Sequence, residues 1–495
     1  MITALIFAGG ILLRVLMFTS DKSMWGDEWF SMDLAQKPLQ EVFLGAINDV
    51  HPPLYFLLLH GALRVLGEAE WVFRLVSFLP SLGLLAVIYF LAKEMLDIKA
   101  GRIALFLTAV SPYWLQASNE IRSYSLFAFA TCLGTYFLVR AVKEPSTQKW
   151  GWAYLATAVL SVYIEHYAWF WLMATTVYVT HLFFKEKLPI SVARFHRAAL
   201  FLSAPSLILV VYQAIYREGV FNFERLKEYL PFWVLAKKAA GICWHFTCGY
   251  SYSMITVETV QAHLKSSSFF WFSFLTTLLA LGAAFFGLTR LFRTRRSEFA
   301  LFVTALVFPI AFLSLVYPIR LDARYLSFAA PFYFLLLAAG VSNLGRFPRV
   351  LFLTGFAIVN LWGSIQAIAL PTDPIHKEDY LGMAAYVLEH STSEDAVCGA
   401  SPQFDYYRAK LKIDFKGDYF PNVEALAENH TRAYEKVWVM DGLNMHPEVS
   451  RKFYGRVHEK VVPLGYVPLG DPIRFGGEEG QTVLYLFVRS GESHV

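Results

Sequence analysis

The chain has 495 residues, of which 56% are hydrophobic, 17% aromatic and only 17% charged, and its mean hydropathy is +0.44. A water-soluble globular protein is nearer half apolar and a quarter charged, so most of this length goes into membrane-spanning segments of about 20 residues each. The formal net charge of +4, with its basic residues in the loops between apolar runs, excludes an electrostatic nucleic-acid surface.

Apolar runs fall at roughly 2–19, 72–92, 103–118, 123–142, 150–164, 167–184, 198–216, 269–289, 299–317, 325–342 and 350–370. They predict an α-helical polytopic membrane protein with about eleven transmembrane helices. The first run reads as a span, because no small-residue cleavage site follows it. The segment 52–66 (PPLYFLLLHGALRVL) is too short, and carries His60 and Arg64, so it reads as an interfacial helix. Cys243 and Cys248 lie in one predicted loop, where they either pair outside the cell or stay free thiols.

Loop charge sets the orientation. Lys93, Lys99, Arg102, Arg140, Lys143, Lys149, Lys185, Lys187, Arg194, Arg197, Arg290, Arg293, Arg295, Arg296, Arg346 and Arg349 all fall on one side, and the short loops opposite hold only Arg122, Arg320 and Arg324. Basic loops are cytoplasmic. The chain is therefore expected in the plasma (inner) membrane, in contact with its lipids, with the N-terminus cytoplasmic. The outer face then receives 20–71, 118–122, 165–166, the large loop 217–268, 318–324 and the tail. From 371 the composition changes to β-rich runs at 396–400, 436–441 and 482–489, with a helical segment near 377–390. Residues 1–370 thus read as the membrane domain and 371–495 as a soluble extracytoplasmic α/β domain.

Five outer segments carry ionisable clusters. MWGDEWF sets Asp27 and Glu28 side by side among Trp25, Trp29 and Phe30; partial burial suits a carboxylate to general-base work, whereas full solvation makes it an acidic turn. NDVHPPLY brings Asp49 and His51 to the mouth of the interfacial helix, with Tyr55 following; the plain alternative is Asp49 as that helix's N-cap. NEIRSYSL places Glu120, Arg122 and Tyr124 at an outer turn, either as a cation for an anionic ligand or as a snorkelling arginine. YIEHY gives Glu165 and His166, and YPIRLDARYL gives Arg320, Asp322, Arg324 and Tyr325. Two arginines there suit a phosphate; a structural histidine and an interface anchor are the plain readings. Each signal is weak alone, but five clusters from five loops share one face. A base, cations for phosphate and aromatics for a sugar ring are what transfer from a lipid-linked phosphosugar requires, because phosphate leaves as a stable anion.

The order GDE, HPPLYFLLLH, NEIRSYSL, EHY and ARYL resembles the polyprenyl-phosphate-sugar-dependent glycosyltransferases of the GT-C fold. The branch it most resembles is related to protein O-mannosyltransferases and the lipid A aminoarabinose transferase, over roughly residues 20–330. The resemblance implies inverting sugar transfer on the outer leaflet from a polyprenyl monophosphate donor to a lipid, glycan or protein acceptor, with a divalent metal (Mg or Mn) optional. It implies Asp27 as base and Glu28 as the carboxylate that orients substrate or holds the metal. Arg122, His51 and Arg324 would hold donor phosphate, and Tyr55, Tyr124 and Tyr325 would line the lipid or sugar site. Some relatives have aspartate where Glu120 stands, and the aminoarabinose branch has lysine where His51 stands. A transporter or flippase of a lipid-linked sugar is the rival reading. It needs charges within spans and repeated halves, and only Arg14 in the first run supplies such a charge.

Overall fold

The computed structural model describes residues 1–185, 187–216, 232–249, 268–316, 322–370, 379–399, 402–410, 417–429, 433–444, 447–476 and 481–490. Arg320, the junction 371–378 and most of the loop 217–268 lie outside the described residues. The chain divides into two compact units. The first comprises Met1–Thr19, Ser31–Gly249 and Met254–Gln366; the second comprises Ser20–Phe30, Tyr250–Ser253 and Ala367–Val495.

In the first unit every predicted apolar run is helical. Six helices are long and apolar enough to cross a membrane among the described residues: Glu70–Met95, Tyr124–Lys143, Ile190–Gln213, Trp271–Thr294, Arg296–Leu313 and Arg346–Ala369. Ile2–Phe18, Ala168–Phe184 and Ala330–Ser342 are apolar but shorter. At ~1.5 Å per residue, a short helix of this kind covers only part of a bilayer core of about 30 Å. The predicted interfacial segment is the helix Leu54–Leu66. Ala330–Ser342 is buried along its whole length, as expected of a helix that is apolar all round. It packs closely on Ser268–Thr294, where a Cβ at Gly340 would meet the Ala283 carbonyl at 1.9 Å and one at Gly287 the Leu336 carbonyl at 2.4 Å. Small residues of this kind let helix backbones approach in membranes.

The run 103–118 is broken into Ile98–Val110 and Pro112–Ala117. Pro112 has no N–H to give the Thr108 carbonyl, and it forces Ser111 into extended backbone (φ −70°, ψ 120°). The freed carbonyls are satisfied from elsewhere. Arg14, fully buried, donates to Thr108 O at 3.2 Å, Ala109 O at 3.4 Å and Gly10 O at 3.1 Å. Ser364 Oγ donates to Val110 O at 3.1 Å.

Part of the expected loop 217–268 is instead a helix, Phe232–Cys248. Lys237 and Lys238 interrupt its hydropathy, which hides it from a search for long apolar runs. Both of its cysteines are free thiols, and Cys248 Sγ lies 3.5 Å from Thr277 Oγ1.

The second unit holds a six-stranded sheet of order β2-β1-β3-β6-β4, with β5 also paired to β6. The strands are β1 Ala396–Cys398, β2 Asp418–Phe420, β3 Lys436–Asn444, β4 Tyr466–Pro468, β5 Ile473–Gly476 and β6 Gln481–Arg489. β1 lies parallel to both β2 and β3, and β6 runs antiparallel to β3, β4 and β5. Val437, Val439, Tyr485 and Phe487 point into a core closed by Val457 and Val461 of the helix Pro447–Val461. The three predicted strands correspond to β1, β3 and β6, and the predicted helix to Tyr380–His390. β2, β4 and β5 are only three or four residues long, too short to show alternation in the sequence.

Candidate functional site

The first unit gathers four of the five predicted clusters. Its centre is Arg122, buried in the turn between Pro112–Ala117 and Tyr124–Lys143. Its Nη2 is 2.6 Å from His51 Nε2, and its Nη1 donates to Ser31 Oγ at 3.3 Å. A guanidinium only donates, so in this arrangement Nε2 accepts and the imidazole proton sits on Nδ1. That atom faces Glu165 Oε1 at 3.6 Å. The same carboxylate oxygen accepts from the Ser123 hydroxyl. Arg122, His51, Glu165 and Ser123 therefore form one chain of contacts built from three loops.

Neighbouring bonds fix these loops. The Arg122 carbonyl accepts from Ser77 Oγ at 2.9 Å, and Ser77 lies 3.4 Å from the Tyr55 hydroxyl. Arg74, paired with Glu70 at 2.8 Å, donates to the Asn119 carbonyl at 2.7 Å. Tyr124 carries the Arg122 guanidinium 6.0 Å from its ring centre. Burial alone would raise the Glu165 carboxyl, but His51, the Ser123 hydrogen bond and Arg122 outweigh it and hold the group below its ordinary value.

His166 is held differently. Gln213 Nε2 donates to the carbonyls of Ile47 at 3.0 Å, His51 at 3.3 Å and Ala46 at 3.4 Å, which turns its Oε1 to His166 Nε2 at 2.6 Å. Burial and His51 push the His166 imidazole down, outweighing Gln213 and Glu165. The next residue, Tyr167, stacks on Tyr325 with ring centres 5.8 Å apart. Arg324 is paired with Asp322 at 2.7 Å, which also caps the turn Ala323–Leu326 by accepting from Arg324 N at 2.9 Å. The Tyr113 hydroxyl donates to the Ala323 carbonyl at 3.1 Å. Glu120 is buried.

Asp27 and Glu28 belong to the second unit. They open the helix Gly26–Gln36, where negative charge is favoured. Glu28 is buried and accepts from the Trp25 N–H at 3.3 Å, the return half of a capping box. Asp27 is half-buried. Asp49 does not cap Leu54–Leu66: it ends the preceding helix Leu39–Asn48, its N–H donating to Gly45 O at 3.0 Å. Pro53 stands at the start of Leu54–Leu66 with no side-chain cap. Among the described residues, no group of three His, Cys, Asp or Glu side chains is placed to hold a metal ion.

Ser31, Ser123 and Gln213 were not singled out from the sequence. Gln213 had a readable signal: it is the lone amide in the apolar run PSLILVVYQAIY. The serines had none, because their role is set by partners distant in the chain.

The family model for dolichyl-phosphate-mannose-protein mannosyltransferase matches residues 50–212, which include His51, Tyr55, Glu120, Arg122, Tyr124, Glu165 and His166. The chain is similar in structure to ArnT from Cupriavidus metallidurans bound to undecaprenyl phosphate. That match has 11% identity and a TM-score of 0.52 over 98% of this chain and 97% of that one. It is also similar to the Archaeoglobus fulgidus oligosaccharyltransferase in complex with Zn and sulfate, at 14% identity and a TM-score of 0.49 over 98% and 73% of the two chains. No curated protein matches by sequence. The fold is the GT-C fold expected from the sequence.

The depressed Glu165 carboxyl gives a signed prediction. A carboxylate whose folded value lies below its unfolded one (about 4.3) stabilises the fold above that pH. The stabilisation is lost as pH falls through the folded value. Glu165→Gln should therefore unfold at a lower temperature than wild type at pH 7, with the gap closing below about pH 4. Thermal unfolding in detergent across pH tests this; a gap independent of pH would show that the charge of Glu165 contributes nothing.

Proposed function

We propose that the chain is an inverting glycosyltransferase that moves one sugar from a polyprenyl monophosphate to an acceptor hydroxyl outside the cytoplasm. The observation that carries this reading is the buried chain of Arg122, His51 and Glu165, assembled from three loops. It sits in a fold shared with a protein solved with undecaprenyl phosphate bound. A buried guanidinium in reduced dielectric is suited to a phosphate that accumulates charge.

In the proposed reaction the acceptor oxygen attacks the anomeric carbon from the face opposite the phosphate. Asp27 takes the hydroxyl proton as the new C–O bond forms. The sugar–phosphate C–O bond breaks with its electron pair passing to phosphate, and the anomeric centre inverts. Arg122 and Arg324 compensate the phosphate, with His51 orienting Arg122 beside it, and Tyr55, Tyr124 and Tyr325 line the lipid or sugar site. Asp49, Glu120 and His166 serve the same substrate-binding role in this reading. Glu28 orients the turn that carries the base. Asp27 and Glu28 are the carboxylates that would hold a divalent ion such as Mg or Mn, should the reaction use one. The acceptor is a lipid, glycan or protein, and the domain 371–495 takes part in positioning it. The transporter reading depended on Arg14, whose guanidinium is committed to the carbonyls freed by Pro112.

The charge asymmetry of the loops supports an inner-membrane protein with a cytoplasmic N-terminus and an outward-facing tail. On a cysteine-free background, Arg293→Cys should resist an impermeant thiol reagent applied from outside; labelling there would sink the arrangement.

Transfer is tested by incubating the purified protein with radiolabelled polyprenyl-phosphate sugars. Asp27→Asn should lower turnover by about 10²–10⁴ with unfolding temperature unchanged. Near-wild-type turnover would remove Asp27 from the base role.

Donor binding is the more electrostatic half. Arg122→Ala and Arg324→Ala should weaken apparent donor affinity more than acceptor affinity, Arg122→Ala the more strongly. Lysine should restore it only in part, because a point charge lacks the planar fork. Donor titrations at saturating acceptor decide the matter, and unchanged donor affinity in both alanine variants would make these arginines interface anchors.

A further inference from the structure

The segment that carries the acidic pair is held by the C-terminal part of the second unit at successive points. Lys22 Nζ donates to the carbonyls of Ile368, at 2.8 Å, and Leu370, at the end of Arg346–Ala369. Ser23 Oγ accepts from Leu381 N at 3.2 Å, in the first turn of Tyr380–His390. The Tyr407 hydroxyl, on the helix Pro402–Lys410, accepts from Met24 N at 2.5 Å and donates to Lys22 O at 3.4 Å. Tyr407 is fully buried. Its neighbour Tyr406 presents an edge to Trp29, ring centres 5.7 Å apart.

The tyrosine helix is itself braced by the sheet. Asp405 accepts from the Tyr419 hydroxyl on β2, and Asp418 of the same strand accepts from Tyr434 at 2.9 Å. A continuous series of contacts therefore runs from β2 through Asp405 and Tyr407 to Met24, one residue before the Trp25 N–H that Glu28 caps.

We propose that Tyr407 is a positioning residue for Asp27, and that the C-terminal domain acts in catalysis by fixing the turn that bears the base. This rests on the glycosyltransferase reading above. Removing the hydroxyl leaves the Met24 N–H without its partner, so the turn can shift, and a displacement of about 1 Å at a reacting group costs on the order of 100-fold in rate.

The test is Tyr407→Phe in the full-length protein, beside Tyr406→Leu and Asp27→Asn. With saturating acceptor and labelled donor, Tyr407→Phe should lower kcat about 10- to 100-fold. Apparent donor affinity should stay at the wild-type value, because the proposed phosphate ligands belong to the first unit, and unfolding temperature should stay near wild type. Tyr406→Leu should show a smaller fall of the same kind, and it keeps the question open to measurement should Tyr407→Phe fold poorly. Wild-type kcat in Tyr407→Phe would overturn the inference, as would, where that variant folds poorly, wild-type kcat in Tyr406→Leu. Turnover retained in Asp27→Asn instead defeats the base assignment. An inactive Asp27→Asn beside a normal Tyr407→Phe defeats this inference alone.

Discussion

Arg122 cannot be left buried with its charge uncompensated, and its compensation governs how three separate loops are arranged. A lone buried cation costs several kcal/mol, and His51 and Ser31 are among the partners that meet it. His51 in turn needs Glu165, and Glu165 needs Ser123. Each loop alone is a short polar interruption between helices with no reason to prefer one conformation. The ion chain makes them interdependent, and Gln213 extends the arrangement to His166 through three carbonyls and one ring nitrogen.

The same accounting applies deeper in the helices. In hydrocarbon every backbone group must find a partner inside the protein. Pro112 breaks a helix and leaves carbonyls over; Arg14 and Ser364 supply the missing donors. A residue that reads from sequence as a mid-span charge is thereby explained by a proline nearly a hundred positions away. The break also turns the chain into Pro112–Ala117 and the turn that carries Arg122, so a structural charge in one helix serves the placement of a buried charge in a loop.

The membrane helices were legible because each is a long apolar run, and such runs are set by local composition. The helix Phe232–Cys248 was not, because Lys237 and Lys238 dilute its hydropathy. Loop charge only led to the expectation that five clusters share a face; of these, His51, Arg122 and Glu165 do meet. Their order of contact could not be read, since it depends on side-chain reach between segments far apart in the chain. The grouping of Ser20–Phe30 with the C-terminal unit was equally hidden, because it is made by Tyr407 and Leu381 more than 350 residues downstream. The plain alternative for Asp49, capping the interfacial helix, does not hold, because Pro53 stands at that place.

The pairing of both candidate phosphate ligands with carboxylates bears on how they would act in the proposed reaction. Arg122 reaches Glu165 through His51, and Arg324 lies against Asp322. A phosphodiester-linked donor carries one negative charge on its phosphate, and it meets cations already partly neutralised, so the ground state gains little. As the sugar–phosphate bond breaks, a second charge grows on the departing phosphate. A guanidinium in contact with the phosphate then strengthens that contact as the reaction proceeds, and only interactions stronger in the transition state accelerate the chemical step. Carboxylates beside the arginines repel the growing charge too, so any help they give lies in holding each guanidinium in place. On this account Glu165 and Asp322 position Arg122 and Arg324 for the departing phosphate, at an electrostatic cost to anion binding.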